Sequence, residues 1–315
     1  MAKGLQLYLS DWETRDGLEG DKRMTTKHKE VIPRTGHDLL VNAYPHRLLW
    51  CSKGQFGKVL VVGGSREYTG SPIFNCLGAF AAGADLVTLL APKRAADAAA
   101  AYAPEIIAPP LDCDYLEPGF VSEIVSYAKK SRAMVVGGGL SRNQRTCAAV
   151  LALLKQTELP VVVDADALRF VAENPVSFKG RVAILTPHAG ELAALVGAES
   201  ISPDDLGKRI DAAIIAAKKY SAVVLLKGAV DVIAEPSGKV MLDYEGSPYL
   251  TKGGHGDVLA GICAALLAKN LPAFEAAATA AYIYGRAGHR AGHKLGESTK
   301  PTDVLKEIPS VILHK

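Results

Sequence analysis

The segment LTKGGHGDVLAG, from Leu250 to Gly261, holds the residues of this chain best suited to chemistry. His255 stands between glycines, and Asp257 comes just before a long apolar run. Glycines let a backbone approach a ligand closely, and the free amides at a helix N-terminus attract anions. We therefore expect a phosphate-binding loop in which Asp257 acts as a base. The alternative is that Asp257 only caps the helix, a role that aspartate commonly fills.

The position of Asp257 near a helix N-terminus affects its strength as a base. The positive end of a helix dipole stabilises a carboxylate, so we expect the pKa of Asp257 to be lowered and the base to be weak. Such a base still works when the hydroxyl that it contacts loses its proton only as the new bond forms. Transfer of a phosphoryl group to that hydroxyl is then largely a matter of positioning.

Short apolar runs predict the elements that must position this loop. They are apolar throughout, which is typical of parallel strands buried on both faces. The runs are KVLVVGG, DLVTLLAP, AMVVGGG, PVVVDAD, VAILTPH and AVVLLKG. Helical segments such as 73–82 and 143–155 separate them over about 230 residues, which predicts one doubly wound α/β domain. A hairpin around Pro236 to Gly238, long helices over 258–269 and 273–292, and a C-terminal helix after Pro301 complete the prediction.

Polar residues follow several of these strands, where ligands of open α/β sheets bind. Asp164 and Asp166 share one side while the chain stays extended, which favours contact with a ligand or with magnesium-bound water; helix capping is the alternative for Asp166. We expect Glu191 in the first turn of a helix, with His188 facing the cleft. Lys227 lies at the end of a strand, where we expect it to contact a nucleotide phosphate. The alternative is a lysine that contacts only water.

Composition excludes several classes of protein. The 315 residues are 49% hydrophobic and 22% charged with a net charge of +3, which favours an ordinary globular protein and gives no support for nucleic-acid binding. Five scattered cysteines without CxxC spacing predict a reducing compartment rather than a disulfide framework. The sequence shows neither a secretory signal nor an apolar run of membrane-spanning length. We therefore predict a cytoplasmic protein with no membrane or nucleic-acid partner.

The chain divides by character at about residue 50. Residues 1–50 are charged and weakly periodic, and we interpret them as an N-terminal extension with one short helix, followed by a single domain over 51–315. The absence of GxxxxGK[ST] excludes a P-loop enzyme, and GGGLSR lacks the third glycine of the dinucleotide fingerprint. The alanine-rich segment AAATAAYIYGRAG either packs against another subunit or is a buried core helix.

Taken in order, these motifs resemble those of the ADP/ATP-dependent NAD(P)H-hydrate dehydratases of the ribokinase-like superfamily. The resemblance runs from about Ser52 to the C-terminus and is carried by KGQFGKVLVVGGS, VVGGGLSRN, VVVDADAL, ILTPHAGEL, VVLLKGA, TKGGHGDVLAGICAALLA and PTDVL. It implies a ribokinase-like fold and a repair reaction. The ring hydroxyl of NADHX or NADPHX, the hydrated nicotinamides, is phosphorylated, and phosphate then leaves to restore NADH or NADPH. The resemblance also implies Mg²⁺, without assigning its ligands, and a homo-oligomer such as a tetramer.

The resemblance implies a role for each matching residue. Asp257 would deprotonate the hydroxyl, and the anion hole would be formed by Gly254, His255 and Gly256. The residues that contact ADP or ATP would be Lys227, Gly228, Ala229, Val230, Asp231 and Gly256. Those that line the hydrated nicotinamide site would be Ser71, Gly139, His188 and Asp257. We expect Asp164, Asp166 and Glu191 to lie next to these contact residues, in a surrounding layer of the site.

Two residues depart from the family's usual pattern. Family members usually have Thr where this chain has His255, and Ala where it has Ser71. An anion hole made of backbone amides tolerates the first change, and a protonated imidazole would add a donor to phosphate. A ring that obstructs the nucleotide would instead mark a changed substrate or a loss of activity.

Two other functions compete with the dehydratase. One is a small-molecule kinase of the same superfamily, such as a thiamine-precursor kinase, whose product stays phosphorylated. Those kinases commonly carry Cys where this chain has Asp257, which favours the dehydratase. The other is a nucleotide-binding homologue without turnover, inactivated by His255.

Overall fold

A single sheet organises the protein, whose computed structural model describes residues 32–313. Its strands within that range are β1 Lys58–Val62, β2 Leu86–Pro92, β3 Pro110–Leu111, β4 Ala133–Val136, β5 Val161–Val163, β6 Ala183–Leu185, β7 Val223–Leu226, β8 Asp231–Ala234 and β9 Val240–Asp243. Their order is β3-β2-β1-β4-β5-β6-β7-β8-β9. All pairs up to β7 are parallel, whereas β7, β8 and β9 pair antiparallel. The mainly parallel doubly wound sheet is thus confirmed, with the predicted hairpin at its edge.

Eleven helices accompany the sheet between residues 32 and 313. They are α1 Asp38–Ala43, α2 Gly70–Ala81, α3 Lys93–Tyr102, α4 Val121–Ala128, α5 Gln144–Gln156, α6 Ala165–Glu173, α7 Ala189–Val196, α8 Leu206–Tyr220, α9 His255–Ala268, α10 Ala273–Leu295 and α11 Pro301–Leu313. Short 3₁₀ turns lie at Pro118–Phe120 and Gly296–Ser298. The predicted helices correspond to α2, α5, α9, α10 and α11. The two-residue strand β3 was not predicted, because it is too short to show a pattern.

Alternate residues of each strand face two separate hydrophobic cores. On β1, Val59 and Val61 belong to one core and Leu60 and Val62 to the other. Helices α1–α3 and α9–α11 cover the first face, and α4–α8 cover the second. Both faces of the central strands are therefore buried, which is why the sequence shows continuous apolar runs instead of alternation.

The N-terminal part of the described chain packs on the domain. The Thr35 amide donates to the Leu242 carbonyl at 2.9 Å, and the Leu242 amide donates to Pro33 at 3.0 Å. Leu39 and Leu40 of α1 are buried in the first core. Helix α1 is the short helix expected within the extension, while residues 1–31 lie outside the described range. The division at residue 50 stays a prediction.

Helix α10 is a core helix of the subunit, which decides one of the alternatives left open for its alanine-rich sequence. Most of its length is buried, including the stretch from Ala276 to Gly285. None of the helices between residues 32 and 313 combines the length and apolar character needed to cross a membrane.

The strand order reverses between β1 and β4, because β2 lies on one side of β1 and β4 on the other. Open sheets of this type leave a crevice at such a point, beyond the carboxyl ends of the strands. The loops after β1 and β4 meet there, where the Gly64 amide donates to the Gly138 carbonyl at 2.8 Å.

Helices α2 and α9 approach each other backbone to backbone on one side of this crevice. A Cβ atom at Gly78 of α2 would lie 2.3 Å from the Val258 carbonyl oxygen. A Cβ atom at Gly261 of α9 would lie 2.1 Å from the Asn75 carbonyl oxygen. Side chains at these two positions are sterically excluded, so the glycines set the distance between the helices.

We predict that Gly78→Ala destabilises the protein while Gly70→Ala does not. The methyl group at position 78 forces α2 away from α9, and overpacking of this kind costs on the order of 1–3 kcal/mol. Gly70 begins the same helix with nothing within 4 Å of its Cβ position, so it is the matched control. Urea unfolding followed by circular dichroism measures both variants. Equal stability of the two variants would contradict the close approach of α2 and α9.

Candidate functional site

The glycine-rich loop leads into α9 earlier than the sequence predicts. Gly254 is the N-cap residue with φ 99°, and the helix begins at His255. Asp257 is therefore the third helical residue, two positions after the helix start, so the capping alternative is wrong. A Cβ at Gly254 would lie 2.7 Å from the Phe74 ring. The first amides of a helix lack intrahelical acceptors, so the loop presents free donors to the crevice.

Two side chains of α2 hold Asp257 in place. The Ser71 hydroxyl donates to the Asp257 carboxylate, and Asn75 Nδ2 donates to the Asp257 carbonyl oxygen at 2.7 Å. A Cβ at Gly138 would lie 2.8 Å from Asp257 Oδ1 and 2.7 Å from Ser71 Oγ. The absence of a side chain at Gly138 lets its backbone pass close to the carboxylate and to Ser71. Sequence reasoning missed Asn75, although its i, i+4 spacing from Ser71 puts both on one helix face.

The carboxyl group of Asp257 titrates near neutral pH. Burial raises its pKa to about 7, and the nearby Asp164 carboxylate adds to this effect. The Ser71 hydroxyl and the Lys227 ammonium act in the opposite direction but do not cancel it. The predicted lowering by the helix dipole is therefore wrong, because desolvation outweighs the dipole at a buried carboxylate. A pKa near the working pH suits a general base.

A buried ion pair lies behind the loop. Asp164 is 2% exposed and accepts hydrogen bonds from Lys227 Nζ at 3.0 Å and from Thr186 Oγ1 at 2.8 Å. Burial alone would lower the pKa of Lys227, but the Asp164 and Glu191 carboxylates outweigh it and raise that pKa. Lys227 Nζ lies 3.1 Å from where a Cβ of Gly256 would be. The lysine is thus a partly buried cation against the glycine-rich loop of residues 253–256, which we call the anion loop because an anion is expected there, and the solvated-lysine alternative is wrong.

Asp164 and Asp166 do not share one side of an extended chain, as the sequence suggested. Helix α6 begins at Ala165, between them, and turns the two side chains apart. Asp166 accepts from the Ser141 amide at 3.2 Å and pairs with Arg142 at 3.3 Å. Asp166 thus binds the loop after β4 instead of capping α6, while Asp164 serves the ion pair.

His188 and Glu191 form a capping box at the start of α7. His188 Nδ1 accepts from the amides of Gly190 and Glu191 at 3.0 and 3.3 Å, and the His188 amide donates to Glu191 Oε2 at 2.8 Å. Burial raises the pKa of Glu191, with Asp164 adding to the effect. The His188 side chain stays 62% exposed and lines two adjoining cavities. Both predicted positions are confirmed.

The larger of these cavities has a volume of about 660 Å³ and contains most of the predicted nucleotide contacts. Its predicted lining residues are Lys227, Gly228, Ala229, Asp231, His255 and Gly256. Val230 is not among them. The Gly228 amide donates to Asp231 Oδ1 at 2.8 Å, and burial raises the pKa of Asp231 to about 6. Residues 244–248 after β9 also line the cavity, and no sequence motif indicated them.

The smaller cavity, of about 490 Å³, lies between α6 and α7 and is lined by Arg142, Asp166, His188 and Glu191. Gly139 lies near Ser71 at the open side of the loop after β4, since its Cβ would be 3.2 Å from Ser71 Cβ. The structure therefore brings Ser71, Gly139 and Asp257 together, and His188 lies where both cavities meet.

The His255 side chain does not extend into water. It is 5% exposed, and its Nδ1 lies 2.5 Å from the Tyr284 hydroxyl oxygen of α10. Burial lowers the pKa of His255 to about 4, and the Lys252 ammonium adds to this effect. Burial therefore favours the neutral ring near pH 7, rather than the protonated imidazole considered from the sequence. Sequence reasoning missed Tyr284, because it is far from the loop along the chain.

Comparisons with known proteins identify the family of this chain. A model of the NAD(P)H-hydrate dehydratase family matches residues 59–310. The chain belongs to this family. It is 41% identical over 262 residues to the bifunctional NAD(P)H-hydrate repair enzyme Nnr of Pyrobaculum aerophilum, covering 82% of this chain and 51% of that protein. The chain thus spans about half the length of the bifunctional family members that it matches.

Other family members extend the comparison over a whole protein and a solved structure. The ADP-dependent (S)-NAD(P)H-hydrate dehydratase of Cenarchaeum symbiosum is 36% identical over 278 residues, covering 88% of this chain and 96% of that protein. The Bacillus subtilis ADP/ATP-dependent NAD(P)H-hydrate dehydratase, crystallised with ATP/Mg²⁺, superposes with a TM-score of 0.74 at 26% identity. That match covers 90% of this chain and 98% of the other. The predicted ribokinase-like fold is confirmed.

We predict that Lys227→Met destabilises the protein by leaving Asp164 buried without its cation. Removal of one partner of a buried ion pair costs on the order of 3 kcal/mol. Adding Asp164→Asn replaces the orphaned charge with a neutral amide of similar size, which still accepts from Thr186. The double variant should therefore recover most of the lost free energy of unfolding in urea titrations. A double variant as unstable as Lys227→Met would contradict the pairing.

Proposed function

We propose that this protein dehydrates NADHX or NADPHX to NADH or NADPH with consumption of ADP or ATP. The observation that carries the proposal is the Asp257 carboxyl group, with a pKa of about 7, held by Ser71 and Asn75 in the first turn of α9, directly after the glycine-rich loop. A base that accepts the hydroxyl proton and a cradle of amides for the transferred group are parts that phosphoryl transfer needs. Membership of the NAD(P)H-hydrate dehydratase family supplies the substrate class.

In the first step, the ring hydroxyl attacks the terminal phosphorus of the nucleotide. Asp257 accepts the hydroxyl proton while the new P–O bond forms, and the bond to the nucleotide breaks with its electron pair leaving on the nucleotide oxygen. The amides of Gly254, His255 and Gly256 stabilise the negative charge of the group in transit. Lys227, held by Asp164 against Gly256, adds positive charge to the same cradle.

In the second step, phosphate leaves the ring carbon and takes the C–O bonding pair. Loss of a proton from the neighbouring ring carbon then restores the double bond of the reduced nicotinamide. The products are NADH or NADPH, inorganic phosphate, and ADP from ATP or AMP from ADP. A phosphate ester is a better leaving group than hydroxide, which explains why the dehydration consumes a nucleotide.

The two cavities suggest how the ligands divide the site. The nucleotide occupies the larger cavity along 227–231 and Gly256, beside the start of α9. The hydrated nicotinamide lies at Asp257, Ser71 and Gly139, with His188 at the junction of the two cavities. This arrangement points the terminal phosphate and the ring hydroxyl toward the same free amides.

Magnesium enters this proposal together with the nucleotide. Mg²⁺ usually keeps several waters and binds to phosphates with one or two carboxylates. Asp166 and Glu191 fit that requirement, because both carboxylates are about one-fifth exposed and line the smaller cavity. No group of three or more metal-binding side chains occurs among residues 32–313, so a cage made by the protein alone is not proposed. The ion would neutralise charge on the phosphates.

The proteins compared above carry both nucleotides in their names, ADP for the Cenarchaeum symbiosum protein and ADP/ATP for the Bacillus subtilis one. We therefore include both donors in the proposal. The homo-oligomeric state and the cytoplasmic location stay predictions from the sequence.

One assay separates the dehydratase from the two competing functions. The purified protein is incubated with NADHX or NADPHX, Mg²⁺ and either ADP or ATP, while absorbance of the reduced nicotinamide and release of phosphate are followed. Equal amounts of reduced nicotinamide and phosphate are the expected result. A product that stays phosphorylated would indicate a kinase. Nucleotide binding without turnover would indicate a non-catalytic homologue.

We predict that Asp257→Asn abolishes most turnover and leaves nucleotide binding intact. The amide keeps the shape of the side chain but accepts no proton, and loss of a general base costs about 10²–10⁴-fold in rate. Steady-state kinetics measure the loss, and calorimetric titration with ADP measures binding. Undiminished rates would remove Asp257 from the mechanism.

We also predict a pH profile governed by Asp257. The base acts when it is ionised, so kcat/KM should rise with pH up to about 7 and then level off. The Ser71 hydrogen bond lowers the pKa of Asp257, so Ser71→Ala should move the rising limb to higher pH. ADP affinity measured over the same range is the control for pH-dependent binding. An unmoved limb would show that Ser71 does not tune the base.

A further inference from the structure

His255 and Tyr284 form a buried polar pair that the proposed reaction does not yet use. Each residue is 5% exposed, and His255 Nδ1 lies 2.5 Å from the Tyr284 hydroxyl oxygen. Both residues line the larger cavity, together with Lys227 and Gly256. The pair connects α10 to the first residue of α9, where the anion loop ends.

The protons of this pair can be assigned from its contacts. Burial raises the pKa of Tyr284 well above its ordinary value, so its hydroxyl keeps its proton. Among the described residues that hydroxyl has no hydrogen-bond partner except His255. A neutral imidazole has one acceptor nitrogen and one donor nitrogen. Tyr284 therefore donates to Nδ1, and the proton of the His255 ring lies on Nε2.

The Nε2–H group of His255 is left without an acceptor anywhere between residues 32 and 313. A buried donor without a partner loses its hydrogen bonds to water without replacement, which is unfavourable. The ring belongs to a residue flanked by Gly254 and Gly256, whose amides lie at the N-terminus of α9, and Lys227 Nζ lies against Gly256. The group most suited to this surrounding is a phosphate oxygen, because every neighbouring donor favours an anion.

We propose that the neutral His255 side chain donates from Nε2 to a phosphate oxygen of the nucleotide, and that Tyr284 is the positioning residue that holds the required tautomer. This inference rests on the proposed function, since it places the nucleotide in the larger cavity. His255 then contributes a side-chain donor to the anion hole in addition to its backbone amide. The departure from the usual Thr becomes a different way to supply a donor at this position.

Two variants remove one part of the pair each. His255→Phe keeps a ring of similar size but lacks both nitrogens, and Tyr284→Phe keeps the ring but lacks the hydroxyl. Calorimetric titrations compare ADP, which has phosphates, with adenosine, which has none. Because a hydrogen bond to a charged group contributes about 1.5–3 kcal/mol, His255→Phe should weaken ADP binding roughly tenfold or more and leave adenosine binding unchanged. Tyr284→Phe should weaken ADP binding less, since the donor remains but its tautomer is no longer held.

Nitrogen NMR of the wild-type protein tests the same proposal without a substitution. Histidine labelled with ¹⁵N should show His255 as the Nε2–H tautomer at neutral pH. Addition of ADP should shift the Nε2–H proton and slow its exchange with water. The opposite tautomer, or an Nε2–H signal that ADP leaves unchanged, would overturn the proposal. This measurement decides the matter if either variant fails to fold.

The outcomes also separate this inference from the proposed function. Wild-type protein that binds no ADP would sink both. If His255→Phe binds ADP as tightly as the wild-type protein does, the role of His255 is overturned and the proposed function is not. Equal losses of ADP and adenosine binding would assign His255 to packing of the cavity wall, and would likewise overturn the phosphate contact.

Discussion

The close approach of α2 and α9 is the constraint on which the geometry around Asp257 depends. Gly78 and Gly261 allow the two backbones to meet, and the same contact brings Ser71 and Asn75 of α2 to Asp257 at the start of α9. Hydrogen bonds from α2 reach both the carboxylate and the main chain of this residue. The orientation of the base is thus set by helix packing, while the loop before it supplies the amides.

Electrostatics at the site follow from burial. Asp164, Asp257 and Glu191 lie near one partly buried ammonium group, Lys227. Lys227 bonds directly to Asp164, while burial of Asp257, with the Asp164 carboxylate adding to the effect, raises the pKa of Asp257 to about 7. Burial also explains why the pKa of His255 falls to about 4. Burial disfavours the charged form of any group, and for histidine the charged form is the protonated one.

Several features of the site were accessible from local patterns. Lys227, His188 and Asp164 were identified as site residues because each lies just after an apolar strand. Asp257 was identified because it follows a glycine-rich loop. The position of Glu191 in the first turn of a helix was predicted from nearby residues, whereas its capping box with His188 was not. Asn75 and Tyr284 were missed, because each acts through a partner more than twenty-five residues away in the chain. The directions of Asp164 and Asp166 were misjudged because a helix begins between them.

The sequence by itself determined the fold class, the parallel sheet with its edge hairpin, and the location of a glycine-rich loop before a helix, because these depend on hydrophobic periodicity and on glycine, which act locally. Only the tertiary structure decided the protonation of the side chains. It placed Asp257 in a desolvated position with a pKa of about 7 and enclosed His255 against Tyr284 as a neutral ring. Protonation depends on burial and on charges from distant segments, and neither can be read from neighbouring residues in the chain.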